Sequence, residues 1–164
     1  MKEIFTISFF GHRTVEEPKL VLQRLMRVLD EITVSDFNGC KPIAEKIIFY
    51  CGGYGEFDSL ASTAIDLYRK RHGDRKSEKV LILPFITPDY MVNVNFVKSS
   101  YDLIVYPQLG NVPPQGEIVA RNRWMIEQSD AVIFYRMHNY SNTKKFLLYA
   151  TNCGKPIYHV GRKN

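Results

Sequence analysis

At 164 residues, with 45% apolar and 24% charged side chains, the chain is long enough for a full core and too apolar for disorder to be its main state. The formal net charge is +5, but the segment RKRHGDRKSEK at 69–79 holds six basic and two acidic side chains and so carries most of that excess. Charge gathered at one helix end and its loop suits the helix macrodipole and a solvated surface, which argues against a nucleic-acid partner.

IFTISFF (4–10) is β-branched, aromatic and apolar and reads as a first strand, broken by Gly11. His12 and Arg13 follow it where a signal peptide would need small residues, so the start is not expected to be a leader. Nor does any apolar run approach the ~20 residues that span a bilayer, so no membrane partner is expected. From Glu16 to Ile32, Val21, Leu25, Val28, Leu29 and Ile32 recur at helical spacing, with Pro18 in the first turn. A loop by composition, DFNGCKP (36–42), separates this helix from a second strand, KIIFYC (46–51). FDSLASTAIDLYRKR (57–71) predicts a helix with Leu60, Ala64 and Leu67 on one face. KVLILPF (79–85) predicts a third strand, closed by prolines. The next stretch predicts a loop with a short helix, then a strand at 101–107 and a loop at 108–116. A helix at 116–129, a strand at 130–136, a helix at 143–154 and a last strand at 156–160 complete the series.

Strands that are apolar runs, alternating with helices, are buried on both faces. The expectation is one α/β domain over 1–164: a Rossmann-like three-layer sandwich with a mainly parallel sheet and helices on both faces. Cys40, Cys51 and Cys153 have no metal-ligand spacing, so no metal is expected. Reduced thiols in a cytoplasmic protein are.

Ligands of such sheets bind beyond the carboxyl ends of the strands, and the unusual clusters sit there. Gly11-His12-Arg13 follows the first strand: a glycine for a turn or close approach, then a titratable ring and a fixed guanidinium fork. Gly52-Gly53-Tyr54-Gly55 follows the second strand and opens a helix. Such a turn can aim backbone N–H groups at an anion or can simply be tight. Its spacing is neither a dinucleotide fingerprint nor a P-loop. Glu56 and Asp58 either complement the helix dipole or, for Asp58, accept a ribose hydroxyl. Glu117, Arg121 and Met125 share a helix face, with Asn122 and Arg123 between them.

In this order, SFFGHR, FYCGGYGEFDSLA, LILPF, RNRWMIEQSDAVIFY and LLYATNCGKPI resemble the YpsA-like branch of the SLOG superfamily, named for the Smf/DprA and LOG proteins. The resemblance covers nearly the whole chain. It implies a Rossmann-like fold that binds nucleotides or nucleotide-derived ligands, and a homo-oligomer, a dimer in particular. Against the Arg-Lys-x-x-Met motif of the LOG phosphoribohydrolases, Arg121, Asn122 and Met125 match with Asn for Lys. Their later glycine-rich motif is eroded; Thr143 matches its Thr, and Phe146 stands where the catalytic Glu would fall.

The function expected is binding of a nucleotide-type small molecule by a sensor or scavenger, with no required cofactor. The expected ligand residues are Gly11, His12, Arg13, Gly52, Gly53, Tyr54, Gly55, Glu56, Asp58, Arg121, Asn122, Arg123 and Thr143. The alternatives are a LOG-like N-glycosidase, for which Glu117, Glu56 and Asp58 are the available carboxylates and Glu117 the catalytic candidate, and a DprA-like single-strand nucleic-acid binder.

Overall fold

The computed structural model describes residues 2–34, 41–53, 55–73, 76–85, 91–92, 94–137 and 142–161. Its elements in chain order are β1 (Lys2–Gly11), α1 (Pro18–Ile32), β2 (Ala44–Cys51), α2 (Gly55–His72), β3 (Ser77–Ile82), α3 (Val94–Ser100) and β4 (Leu103–Val105). A single 3-10 turn (Pro114–Gly116) then leads into α4 (Glu117–Gln128), β5 (Ala131–Tyr135), α5 (Thr143–Asn152) and β6 (Ile157–His159). The six strands pair in parallel in the order β4-β3-β2-β1-β5-β6.

Side chains alternate across each strand, so the sheet feeds two cores. Ile7 and Phe9 of β1 pack with Ile47, Phe49 and Cys51 of β2 under the apolar stripes of α1 and α2. Phe10, Val80, Ile82, Val132 and Phe134 face the other way, under Met125 and Ile126 of α4 and Phe146 and Ala150 of α5. The result is the expected α/β sandwich with helices on both faces.

Three local expectations change. α2 begins at Gly55, and its buried stripe is Phe57, Ala61, Ala64, Ile65 and Tyr68, while Leu67 is exposed. Phe57 stacks on Tyr135 and Tyr68 meets Phe49 edge-on, and these aromatic anchors set the helix rotation. β3 stops at Ile82 and β4 covers only 103–105. Leu83 still donates to the Val105 carbonyl at 3.0 Å, but Pro84 and Pro107 have no N–H with which to extend the ladder.

The third change concerns the basic segment. Lys79 is only 2% exposed. Its Nζ donates to Ser62 Oγ at 2.7 Å and to Asp66 Oδ1 at 3.0 Å, and lies 5.1 Å from the centroid of the Tyr101 ring. Arg69 pairs with Asp102 at 2.8 Å, and Arg71 and His72 both reach Asp30 on α1. Much of the local positive charge therefore ties α2 to α1 and to the β3–β4 edge.

Burial also holds protons in place. It pushes the Cys51 thiol and the Tyr101 phenol up, and the Asp58 carboxylate opposes ionisation of both. Tyr149 is pushed up to about 12, first by its hydrogen bond to Glu127. These groups ionise near 9 and 10 in the unfolded chain, so above those values the unfolded state releases protons that the folded state retains. Stability should be level up to about pH 9 and then fall as pH rises towards 12. Urea midpoints measured at pH 7, 9 and 10.5 check this; an unchanged midpoint at the highest pH would contradict it.

Candidate functional site

Strand order reverses at β1. The chain lays β2, β3 and β4 on one side of it, then crosses to place β5 and β6 on the other. In open parallel sheets the ligand crevice lies at such a reversal, beyond the carboxyl ends of the strands. Here its lips are the segment after β1 and the segment after β5. His12, 9% exposed, joins them: its Nε2 accepts a hydrogen bond from the Met137 N–H at 2.8 Å. The Tyr135 hydroxyl accepts from the Glu16 N–H at 2.9 Å. An accepting Nε2 requires the neutral ring with its proton on Nδ1, so His12 braces the crevice instead of offering a charge to it.

The second loop, between β2 and α2, meets the first directly. The Glu56 N–H donates to the Arg13 carbonyl at 2.8 Å, and the Glu56 carboxylate accepts from the Val15 N–H at 2.6 Å. Loops 11–13 and 52–58 thus form one rim, which Arg13 enters from β1 with an exposed side chain.

The glycines have reasons inside the protein. Gly53 and Gly55 adopt φ of 79° and 87°, angles that side chains disfavour. A Cβ on Gly55 would lie 2.8 Å from the Arg13 Cα, and one on Gly11 2.4 Å from the Phe57 ring. The first close approach seats one loop on the other; the second seats α2 on β1.

Arg121 is not at the surface of this rim. It is 3% exposed, and its Nη1 donates to the Gly52 carbonyl at 3.0 Å and the Ile82 carbonyl at 2.8 Å. Nε donates to Asn122 Oδ1 at 2.7 Å. The guanidinium therefore lies between the ends of β2 and β3, with Asn122 as its outer partner. Arg123, two positions on, faces elsewhere because two residues turn a helix through roughly 200°. Its guanidinium lies 5.2 Å from the centroid of the Tyr149 ring. Thr143 is buried at the first turn of α5. Asp58 is half-buried on α2, and Glu117 is half-buried at the start of α4. Tyr54 lies outside the described residues.

Phe146 is 7% exposed and its ring stacks on Phe10, with centroids 6.1 Å apart. It is a core residue of the α4–α5 face. Arg136, which sequence reasoning passed over, is half-buried directly after β5, on the lip opposite Arg13. Its signal in the sequence is an arginine directly after an apolar strand, much as Arg13 stands two residues beyond the first. Chemically, the rim combines the exposed Arg13 guanidinium, a fork suited to an oxyanion, with the first turn of α2, where the carboxylates of Glu56 and Asp58 offset the helix dipole. Among the described residues, no cluster of His, Cys, Asp and Glu could hold a metal, and no helix is long and apolar enough to cross a membrane.

No protein-family model and no curated protein sequence matches the chain. Among solved structures it is similar to DNA processing protein A, DprA, from Helicobacter pylori, with a TM-score of 0.59 and 19% identity over 94% of this chain. It is also similar to DprA from Streptococcus pneumoniae, with a TM-score of 0.62 and 15% identity over 95% of this chain. The chain spans 64% and 50% of those two chains. At such identities the likeness establishes the fold alone: an α/β, Rossmann-like sandwich.

The likeness corrects one expectation. Nucleic acid was set aside as a partner because the charge is clustered at 69–79. The fold is shared with the H. pylori protein, which binds single-stranded DNA. The 69–79 segment is also not a simple solvated patch, since Lys79 is buried and Arg69 and Arg71 are paired with acids.

Proposed function

We propose that the rim formed by loops 11–13 and 52–58 binds a nucleotide unit through its phosphate, with Arg13 as the charged fork. The observation that carries this reading is the hydrogen bond from the Glu56 N–H to the Arg13 carbonyl. It brings an exposed arginine against the first turn of α2, beside the point where strand order reverses. In the first form of the reading the ligand is a free nucleotide or a small molecule derived from one, and the protein is a cytoplasmic sensor or scavenger of the YpsA-like branch. That branch rests on the sequence motifs, and the location on Cys51 and Cys153 being free thiols. The likeness to H. pylori DprA along 94% of this chain favours a second form, in which the phosphate belongs to single-stranded DNA. Hydrolysis is not part of the proposal, because the position that LOG enzymes fill with Glu is Phe146, in the core.

The test is calorimetry with AMP, GMP, CMP and UMP beside fluorescence anisotropy with a labelled thymidine oligonucleotide, each at two salt concentrations. A charged hydrogen bond to phosphate contributes about 1.5–3 kcal/mol, so Arg13→Ala should weaken binding about 10- to 100-fold. Its melting temperature should stay unchanged, since the side chain is exposed. A single strand contacted at several phosphates loses affinity with salt at a slope of about −0.7 per phosphate, which separates the two forms. Unchanged affinity in Arg13→Ala, or no saturable binding of any of these ligands by the unaltered protein, would remove the reading.

A further inference from the structure

The Gly52–Gly53 peptide is trans, since the described chain contains no cis bond. In a trans peptide the carbonyl of one residue and the N–H of the next point in opposite directions. Arg121 Nη1 holds the Gly52 carbonyl at 3.0 Å, so the Gly53 N–H is turned away from Arg121. The same Nη1 holds the Ile82 carbonyl at 2.8 Å, which places the guanidinium between the ends of β2 and β3. β1 flanks β2 on the side away from β3, and there the Arg13 backbone meets Gly55 and Glu56. The next peptide of β3 shows the same consequence: with the Ile82 carbonyl on Arg121, the Leu83 N–H points the other way and bonds the Val105 carbonyl on β4.

Resting on the phosphate reading above, we infer that Arg121 is a positioning residue: without touching the ligand, it presets the Gly53 N–H as a donor to a phosphate oxygen in the rim. Three features of the turn fit this role. Gly53 is exposed. Gly53 also needs its φ of 79°, which makes glycine the residue that can present its N–H there at least strain. The guanidinium also packs directly against the turn, with a Cβ at Gly52 falling in ordinary contact 3.4 Å from Nη1. An arginine suits the task better than a lysine, because its planar fork is fixed in orientation as well as position. The Asn122 carbonyl oxygen on Nε steadies that plane. Preset donors cost no reorganisation when the ligand arrives.

The experiment is a titration followed by 15N NMR, using AMP and, in parallel, a thymidine oligonucleotide. In the unaltered protein the Gly53 amide should move downfield as either ligand saturates. Arg121→Lys, which keeps the charge and loses the fork, should bind about tenfold more weakly and lose the Gly53 shift. A purely structural arginine would lower the melting temperature and leave affinity and the Gly53 shift unchanged; that result in a folded Arg121→Lys overturns the assignment. If that variant does not fold, the unaltered protein still decides: saturation that moves the amides of Arg13 or Gly55 and leaves Gly53 still overturns it. No saturation by either ligand would strike the phosphate reading itself, and this assignment with it.

Discussion

Gly11→Ala should destabilise the protein by about 3 kcal/mol or more. The new methyl carbon would be built 2.4 Å from two ring carbons of Phe57. The ring has little room to retreat: it is 1% exposed and stacks on Tyr135, with centroids 5.6 Å apart. Tyr135 is itself fixed, by β5 and by the Glu16 N–H on its hydroxyl. Relief therefore requires α2 to lift from β1 and to carry the Gly52–Asp58 turn with it. In a domain of this size the loss corresponds to a fall of about 6–12 °C in melting temperature. Ligand binding should weaken at the same time, because the rim is built on that turn. Trimming the ring in the double variant Gly11→Ala/Phe57→Leu should restore part of the stability, as expected of a steric clash between two named groups. A single variant that melts with the unaltered protein would show that β1 and α2 do not approach as closely as described.

Phe146→Glu should be more damaging still, and should not create a hydrolase. The substitution places a carboxyl group where the resemblance to LOG enzymes implies their catalytic one. In this fold, however, α5 presents position 146 to the sheet. Phe10, Val132, Phe134 and Ala150 belong to the same core, and none of them can accept or donate a side-chain hydrogen bond. Burying an unpartnered carboxyl group there should cost about 4 kcal/mol or more, a large part of the ~5–15 kcal/mol that holds a domain together. The expected result is loss of a cooperative thermal transition, whereas Phe146→Leu, which keeps the site apolar, should retain one. Neither variant, nor the unaltered protein, should release free base from AMP, GMP, CMP or UMP. Chromatography after prolonged incubation is the check. Base release by a folded Phe146→Glu would place that side chain in the crevice and restore the enzyme reading. Turnover by the unaltered protein, abolished by Glu117→Gln, would do the same through a different carboxylate.

The sequence by itself determined the layered architecture. Apolar strands alternating with helical patterns leave few arrangements that bury both faces of a sheet, and every expected element is present within a few residues of its expected ends. It also placed the Gly11–Arg13 and Gly52–Asp58 turns at the carboxyl ends of strands, because in a parallel sheet that edge is where strand-to-helix turns must fall. Four things needed the tertiary structure. Strand order is set by pairing between segments far apart in the chain, so the reversal at β1, and with it the crevice, could not be read along the sequence. Burial of a charge depends on what packs over it: Lys79 looked solvated until Ser62, Asp66 and the Tyr101 ring surrounded it. Rotation about a helix axis sends Arg121 under the Gly52 turn and Arg123 onto Tyr149, although the two are neighbours in the sequence. The glycines were visible in the sequence, but their reasons were not, since a glycine demanded by a ring 2.4 Å away reads the same as one demanded by a ligand.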